Sequence, residues 1–143
     1  MSSIMRDDDC YCGLLADDTH KIIGAAMEVY NILGSGFLEN VYRDALGVEF
    51  AARDFSYEQE KLVNIFYKEV KLPSYYKADL MCFGNIILEL KAKKELTKED
   101  EAQLVNYLKA TGIPVGLLFN FGNPRRLEWR RLIYTDKRYS GMC

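Results

Sequence analysis

No run of about twenty apolar residues occurs in this chain of 143 residues, which excludes a membrane-spanning helix. The stretch Met1 to Asp18 also lacks the basic flank and apolar segment of a secretory signal and carries Asp7-Asp8-Asp9 instead. A cytoplasmic protein with no membrane partner is the expectation. Histidine is nearly absent, with His20 alone, and the four cysteines, Cys10, Cys12, Cys82 and Cys143, have neither zinc-ribbon nor redox spacing. A closed His/Cys metal cluster is therefore hard to assemble, and the cysteines read as reduced thiols. Excess positive charge is lacking too: the formal net charge is -2, so overall charge gives nucleic-acid binding no support. No internal repeat or low-complexity linker divides the chain. The boundaries expected are a flexible N-terminal extension over 1–18 and a single domain over 19–143, long enough for one core.

What is present is an ordinary globular composition, 49% hydrophobic and 28% charged. Asp18 or Thr19 is placed to cap a first helix running to about Leu33, with Ile22, Ile23, Ala26, Met27, Val29, Tyr30 and Leu33 as its apolar stripe. Gly34-Ser35-Gly36 ends it, and a second helix runs from Leu38 to Arg53. Strand character follows over Phe55 to Val70, interrupted near Glu58 to Lys61, then over Tyr75 to Cys82 and Asn85 to Lys91. Thr97 begins a third helix that ends at Gly112; Pro114 to Phe119 and Leu127 to Tyr134 read as strands. This order predicts an α/β or α+β fold, a mixed sheet flanked by helices, with the third helix crossing between parallel strands.

The chemistry concentrates on the hairpin at Gly84. With a three-residue loop, Phe83-Gly84-Asn85, Asp79 lies directly opposite Glu89, and like charges so opposed destabilise a sheet unless a cation bridges them. Mg²⁺ suits such a pair, because it takes a few hard oxygen ligands and keeps positions for water and phosphate. Lys91 emerges on the same face as Glu89, where it can orient an attacking water or offset phosphate charge. A two-residue turn at Gly84-Asn85 would instead place Asp79 opposite Leu90 and turn Glu89 away. Under that register Glu89 and Lys91 are ordinary solvent-facing strand residues.

Two helical patterns add to the hairpin. Glu39 and Tyr42 stand one turn apart near the start of the second helix, where Glu39 can join a metal shell or answer the helix dipole. Gln103 and Tyr107 share a face of the third helix, placed to hold a phosphate, brace the ligands or pack as a half-buried face. Lys91, Lys93 and Lys94 follow the carboxylates, and Arg125, Arg126, Arg130, Arg131, Lys137 and Arg138 crowd the C-terminal end. Each group reads either as a phosphate path or as a solvated basic edge.

Gly36, Glu39 and Tyr42 spell GxxExxY; Asp79 closes Tyr76-Lys77-Ala78-Asp79; Glu89-Leu90-Lys91 and Gln103-Leu104-Val105-Asn106-Tyr107 follow in order. This pattern resembles the bacterial GxxExxY protein family, a compact RecB-like branch of the PD-(D/E)XK nuclease superfamily, over roughly His20 to Ile133. The resemblance implies a restriction-endonuclease-like core. It implies that Asp79 and Glu89 bind Mg²⁺ (or Mn²⁺), with the backbone carbonyl of Leu90 and the carboxylate of Glu39 as further ligands. Lys91 matches the lysine that positions or activates water, and Gln103 and Tyr107 match a QxxxY motif near the scissile phosphate; Lys93, from its charge beside the carboxylates, is a further candidate substrate contact. Ala78 stands where the superfamily has proline, and Tyr30 where many relatives have histidine.

The activity so implied is metal-dependent hydrolysis of phosphodiester bonds, with DNA the expected substrate and Asp79, Glu89 and Lys91 the catalytic set. A second reading is a non-catalytic nucleic-acid-binding or protein-interaction module of the same fold, indifferent to Asp79→Ala and to divalent ions. Assembly as a homodimer or within a larger complex is compatible with the ten tyrosines.

Overall fold

The computed structural model describes residues 3–6 and 15–135. Along the chain lie β1 (Ser3–Arg6), α1 (Ala16–Leu33), α2 (Glu39–Ala52), β2 (Tyr57–Tyr67), β3 (Val70–Cys82), β4 (Ile86–Lys91), α3 (Lys98–Thr111), β5 (Val115–Asn120) and β6 (Glu128–Thr135). The strands form one mixed sheet in the order β1-β6-β5-β4-β3-β2, in which β4 and β5 are parallel and the other neighbours antiparallel. The expected α+β sheet with a crossover helix is what forms, and β1 joins it at an edge where the sequence reading assigned no strand.

The central strands are the most apolar, because both of their faces are covered. One face packs on α1 and α2 through Ile22, Ala26, Tyr42, Leu46, Phe50, Leu88 and Leu117; the other packs on α3 through Leu104, Leu108, Ile87, Leu118 and Leu132. Among the described residues no helix is long and apolar enough to cross a membrane. Cys82 is buried in the first of these layers, and burial pushes its thiol up to about 12, so it stays a thiol. Cys10, Cys12 and Cys143 lie outside the described residues.

Helix α1 starts before the Asp18-Thr19 pair expected to cap it. Thr19 is instead buried within the first turn, its hydroxyl donating to the Ala16 carbonyl at 2.9 Å. At α3 the expectation holds: Thr97 and Asp100 form a reciprocal capping box, and Gly112 closes the helix at φ 78°, a left-handed conformation that glycine adopts without penalty. Tyr30 has a structural task, donating from its hydroxyl to the Asn123 carbonyl at 2.6 Å. The C-terminal arginines do not form one basic edge, since Arg131 is buried and Arg130 lies 3.6 Å from Glu101. Lys137 and Arg138 lie outside the described residues.

Two features place the catalytic candidates. The first is a buried amide clamp behind β4. Asn120 accepts from the backbone amides of Lys93 and Gly122 and donates to the Lys93 carbonyl and to Glu128, which also accepts from the Leu96 amide. Three of these five hydrogen bonds, at the Lys93 amide and carbonyl and at the Leu96 amide, pin the chain as it leaves Lys91, and the other two hold Asn120 and Glu128 in place. Gly122 completes the clamp, because a Cβ there would come within 2.3 Å of the Lys93 backbone.

The second is a reversal of side-chain alternation in β3. Leu80 and Cys82 face α1 and α2, yet Tyr76 and Ala78 face α3, which a regular strand of period two cannot do. The change of face falls at Asp79. Across the ladder Gln59 pairs with Leu80 and Lys61 with Ala78, so Glu60 stands against Asp79, and Glu60 has φ 50°. Both strands therefore rotate at the same level. Beyond it they continue as a two-stranded ribbon that closes at Lys68-Glu69, with φ 49° and 67°, the two positive values of a type I′ turn.

Candidate active site

The turn that decides the register is the three-residue one. Cys82 pairs with Ile86, Met81 with Ile87 and Leu80 with Leu88, and the Asn85 amide donates to the Cys82 carbonyl at 3.2 Å. Continued by one step, this register sets Asp79 against Glu89. The ladder stops at Leu80, so the strands part where the two carboxylates begin. Instead of a backbone bond, the Leu90 amide donates to Asp79 Oδ2 at 2.8 Å. The N–H and C=O of an extended residue point to the same edge of its strand, so the Leu90 carbonyl is directed into the same gap.

Both carboxyls are held above their ordinary values. For Asp79 the main cause is burial, with Glu60 adding to it; the Leu90 amide, Arg43 and Lys91 act in the opposite direction. Burial, then the charge of Asp79, pushes Glu89 up to about 7. Opposing this, the Tyr76 hydroxyl donates a hydrogen bond to Glu89 Oε1. Two desolvated carboxylates facing one another, with the Leu90 carbonyl directed toward the same gap, offer hard oxygens of the kind that suits Mg²⁺ or Mn²⁺.

Lys91 and Gln103 are brought together: the ammonium stands 3.4 Å from the amide oxygen. Tyr107 does not stand alone on its helix face. Its ring stacks on Tyr76 at 3.7 Å between centroids, 17° from parallel. Tyr107 therefore backs Tyr76, which in turn holds Glu89. In the sequence Tyr76 stands only as the first residue of the Tyr76-Lys77-Ala78-Asp79 motif, with no task of its own. The signal available was its position three residues before Asp79, which reads as the wrong face of a regular strand and becomes the right one only through the reversal.

The remaining candidates sit at the rim. Glu39 is the exposed first residue of α2, one turn before Arg43, and residues so spaced share a helix face. Arg43 reaches Glu60 at 3.2 Å and lowers the Asp79 carboxyl through its charge, so this face of α2 looks toward the gap. Among the described residues no three His, Cys, Asp or Glu side chains gather closely enough to hold a metal ion between them. The fold thus brings Asp79, Glu89 and the Leu90 carbonyl together, with Glu39 at the rim of the gap. Tyr42, paired with Glu39 in the sequence motif, points inward: it is fully buried, stacks on Phe121 at 4.5 Å, and its hydroxyl joins the Gly34 carbonyl to the Phe37 amide. Lys93 lines a groove of about 460 Å³ against Ser35–Leu38, with its ammonium 2.9 Å from Asp100.

The Tyr76 contact makes a prediction. Tyr76→Phe keeps the stack on Tyr107 and removes the donor that lowers the Glu89 carboxyl, so Glu89 should ionise at still higher pH. A pH titration of divalent-ion binding should show its acid limb moved to higher pH, and an unmoved limb would refute the assigned contact.

A family model described as the PD-(D/E)XK nuclease superfamily matches residues 16–132. Comparison with curated proteins and with solved structures finds no match.

Proposed function

This chain belongs to the PD-(D/E)XK nuclease superfamily, and from that premise we propose that it is a Mg²⁺-dependent nuclease hydrolysing phosphodiester bonds in DNA, of the GxxExxY type. The observation that carries the reading is the Asp79–Glu89 pair at the parting of β3 and β4, with Lys91 one step beyond it on the Glu89 face. Asp79, Glu89 and the Leu90 carbonyl would hold the ion, with Glu39 reaching it from α2; Mn²⁺ fits the same donors. When bound, the ion supplies Lewis-acid polarisation of a phosphoryl oxygen and acidification of water.

The chain's own residues do the rest. Glu89, whose carboxyl lies near 7, is kept in place by Tyr76 and, behind it, Tyr107. Lys91, steadied by Gln103, orients the attacking water and stabilises negative charge as it develops on the phosphoryl group. Lys93 flanks the path beside the start of α2 and meets the substrate backbone there.

The test is cleavage of end-labelled single- and double-stranded DNA by the purified protein in Mg²⁺, Mn²⁺ or EDTA. Cutting is expected with either ion and none in EDTA. Retained DNA binding without cutting in any condition would replace the enzyme with a binding module.

A further inference from the structure

The ribbon of β2 and β3 carries a surface that the catalytic reading does not use. Val63, Ile65, Tyr76 and Ala78 turn toward α3. The alternate positions therefore face the opposite side, beyond the reach of any helix core: Leu62 beside Lys77, Asn64 beside Tyr75, and Phe66 beside Lys71. Leu62 is 55% exposed, Phe66 48% and Tyr75 59%, so three large apolar groups stand in water on one face of a two-stranded arm. Such a face is a liability unless something covers it.

Its charge and position indicate what covers it. From Lys61 to Ala78 the chain has four lysines and one glutamate, a local excess of three positive charges in a protein of net charge -2. Glu60 at the ribbon's base takes both Arg43, at 3.2 Å, and Lys77, at 3.7 Å, so the cations of α2 and of the arm meet around one carboxylate beside Asp79. Tyr75 lies four residues up the strand from Asp79, about 13 Å away at the rise of an extended chain. Aromatic faces interleaved with lysines match a single strand of nucleic acid, whose bases stack on rings while its phosphates meet the ammonium groups.

We infer that this outer face of the ribbon is a stacking platform for a single-stranded segment of the DNA substrate, with bases on Tyr75 and Phe66 and phosphates on Lys71 and Lys77. The inference rests on the nuclease reading for its substrate but not for its test. Binding of a fluorescein-labelled single-stranded DNA 20-mer is followed by anisotropy in EDTA, where no cutting occurs, for the parent protein and for Tyr75→Leu, Tyr75→Trp, Phe66→Ala and Lys71→Gln.

Tyr75→Leu and Phe66→Ala should each weaken binding about tenfold, whereas Tyr75→Trp, which restores a ring, should bind as the parent does. Lys71→Gln should weaken binding mildly and flatten its salt dependence by roughly one phosphate contact. Thermal melting confirms that each exposed substitution leaves the fold intact. Unchanged affinity in Tyr75→Leu and Phe66→Ala would overturn the platform while leaving Mg²⁺-dependent cutting to be judged separately. Tighter binding of an RNA of the same sequence would overturn the DNA assignment. A parent dimer in sedimentation that Tyr75→Leu converts to monomer would show that a second copy of the chain covers this face, and would overturn it as well.

Discussion

Lys91→Ala should lower the single-turnover rate of DNA cleavage about a hundred- to a thousandfold, the loss typical when one preorganised group that stabilises developing charge is removed. The expectation follows from where Lys91 stands. It is on the Glu89 side of β4, one step past the carboxylate gap, and Gln103 holds its ammonium at 3.4 Å. At a pH above both carboxyl titrations divalent-ion affinity should not fall in this variant, because the lysine repels a cation rather than binding it; the acid limb of binding should move to higher pH, since Lys91 lowers the Asp79 and Glu89 carboxyls. Asp79→Ala behaves differently: it removes a ligand, so affinity and rate fall together. Calorimetric titration with Mg²⁺ or Mn²⁺ beside the cleavage assay separates the two losses. Parental cutting by Lys91→Ala would remove the lysine from the mechanism.

Glu89→Gln should make the metal-free protein more stable at neutral pH while destroying its activity. The folded chain holds the Glu89 carboxyl at about 7 against 4.5 when unperturbed. Between those values the unfolded chain has released the proton and the folded chain keeps it, so stability falls as pH rises through this window and stays low above it. At the standard conversion the deficit amounts to about 3 kcal/mol. Glutamine keeps an acceptor for the Tyr76 hydroxyl and carries no charge, so the deficit disappears. Urea unfolding in EDTA should place the two proteins close together at pH 4.5 and favour Glu89→Gln by about 3 kcal/mol at pH 8. Added Mg²⁺ should then stabilise the parent alone, by the ordinary linkage of a ligand that binds only the folded state. Equal pH dependence in the two proteins would mean that the carboxylates are not held against their preference.

Much of this site could be read from local chemistry. The three-residue loop with Gly84 set the register, alternation put Lys91 on the Glu89 face, and Thr97 and Gly112 bounded α3. These are short-range rules, and nothing distant overrides them. Tyr76 was not legible, because its side depends on the reversal at Asp79, and that depends on Glu60 in another strand adopting a positive φ. For Tyr107 the spacing left a phosphate contact, a brace for the ligands and simple packing open, and did not point to Tyr76, since helical spacing says which residues share a face and not what lies across from it. The Asn120 clamp joins β5 to the segment after β4 and to β6, contacts that no pattern within one element encodes.

The pairing of β1 with β6 sets an order of events in synthesis. Ser3 lies against Thr135, 132 positions later, so the first strand of the sheet to be made waits for the last one before it can be placed. Every catalytic candidate from Tyr76 to Tyr107 is translated in between, on a hairpin and the helix that follows it. Closing so long a loop carries a large entropy cost and no local reward. In the cell, therefore, the nascent chain can assemble its carboxylate gap while the outer edge of β6 is still bare, and that interval is when an edge-binding chaperone would have most to protect.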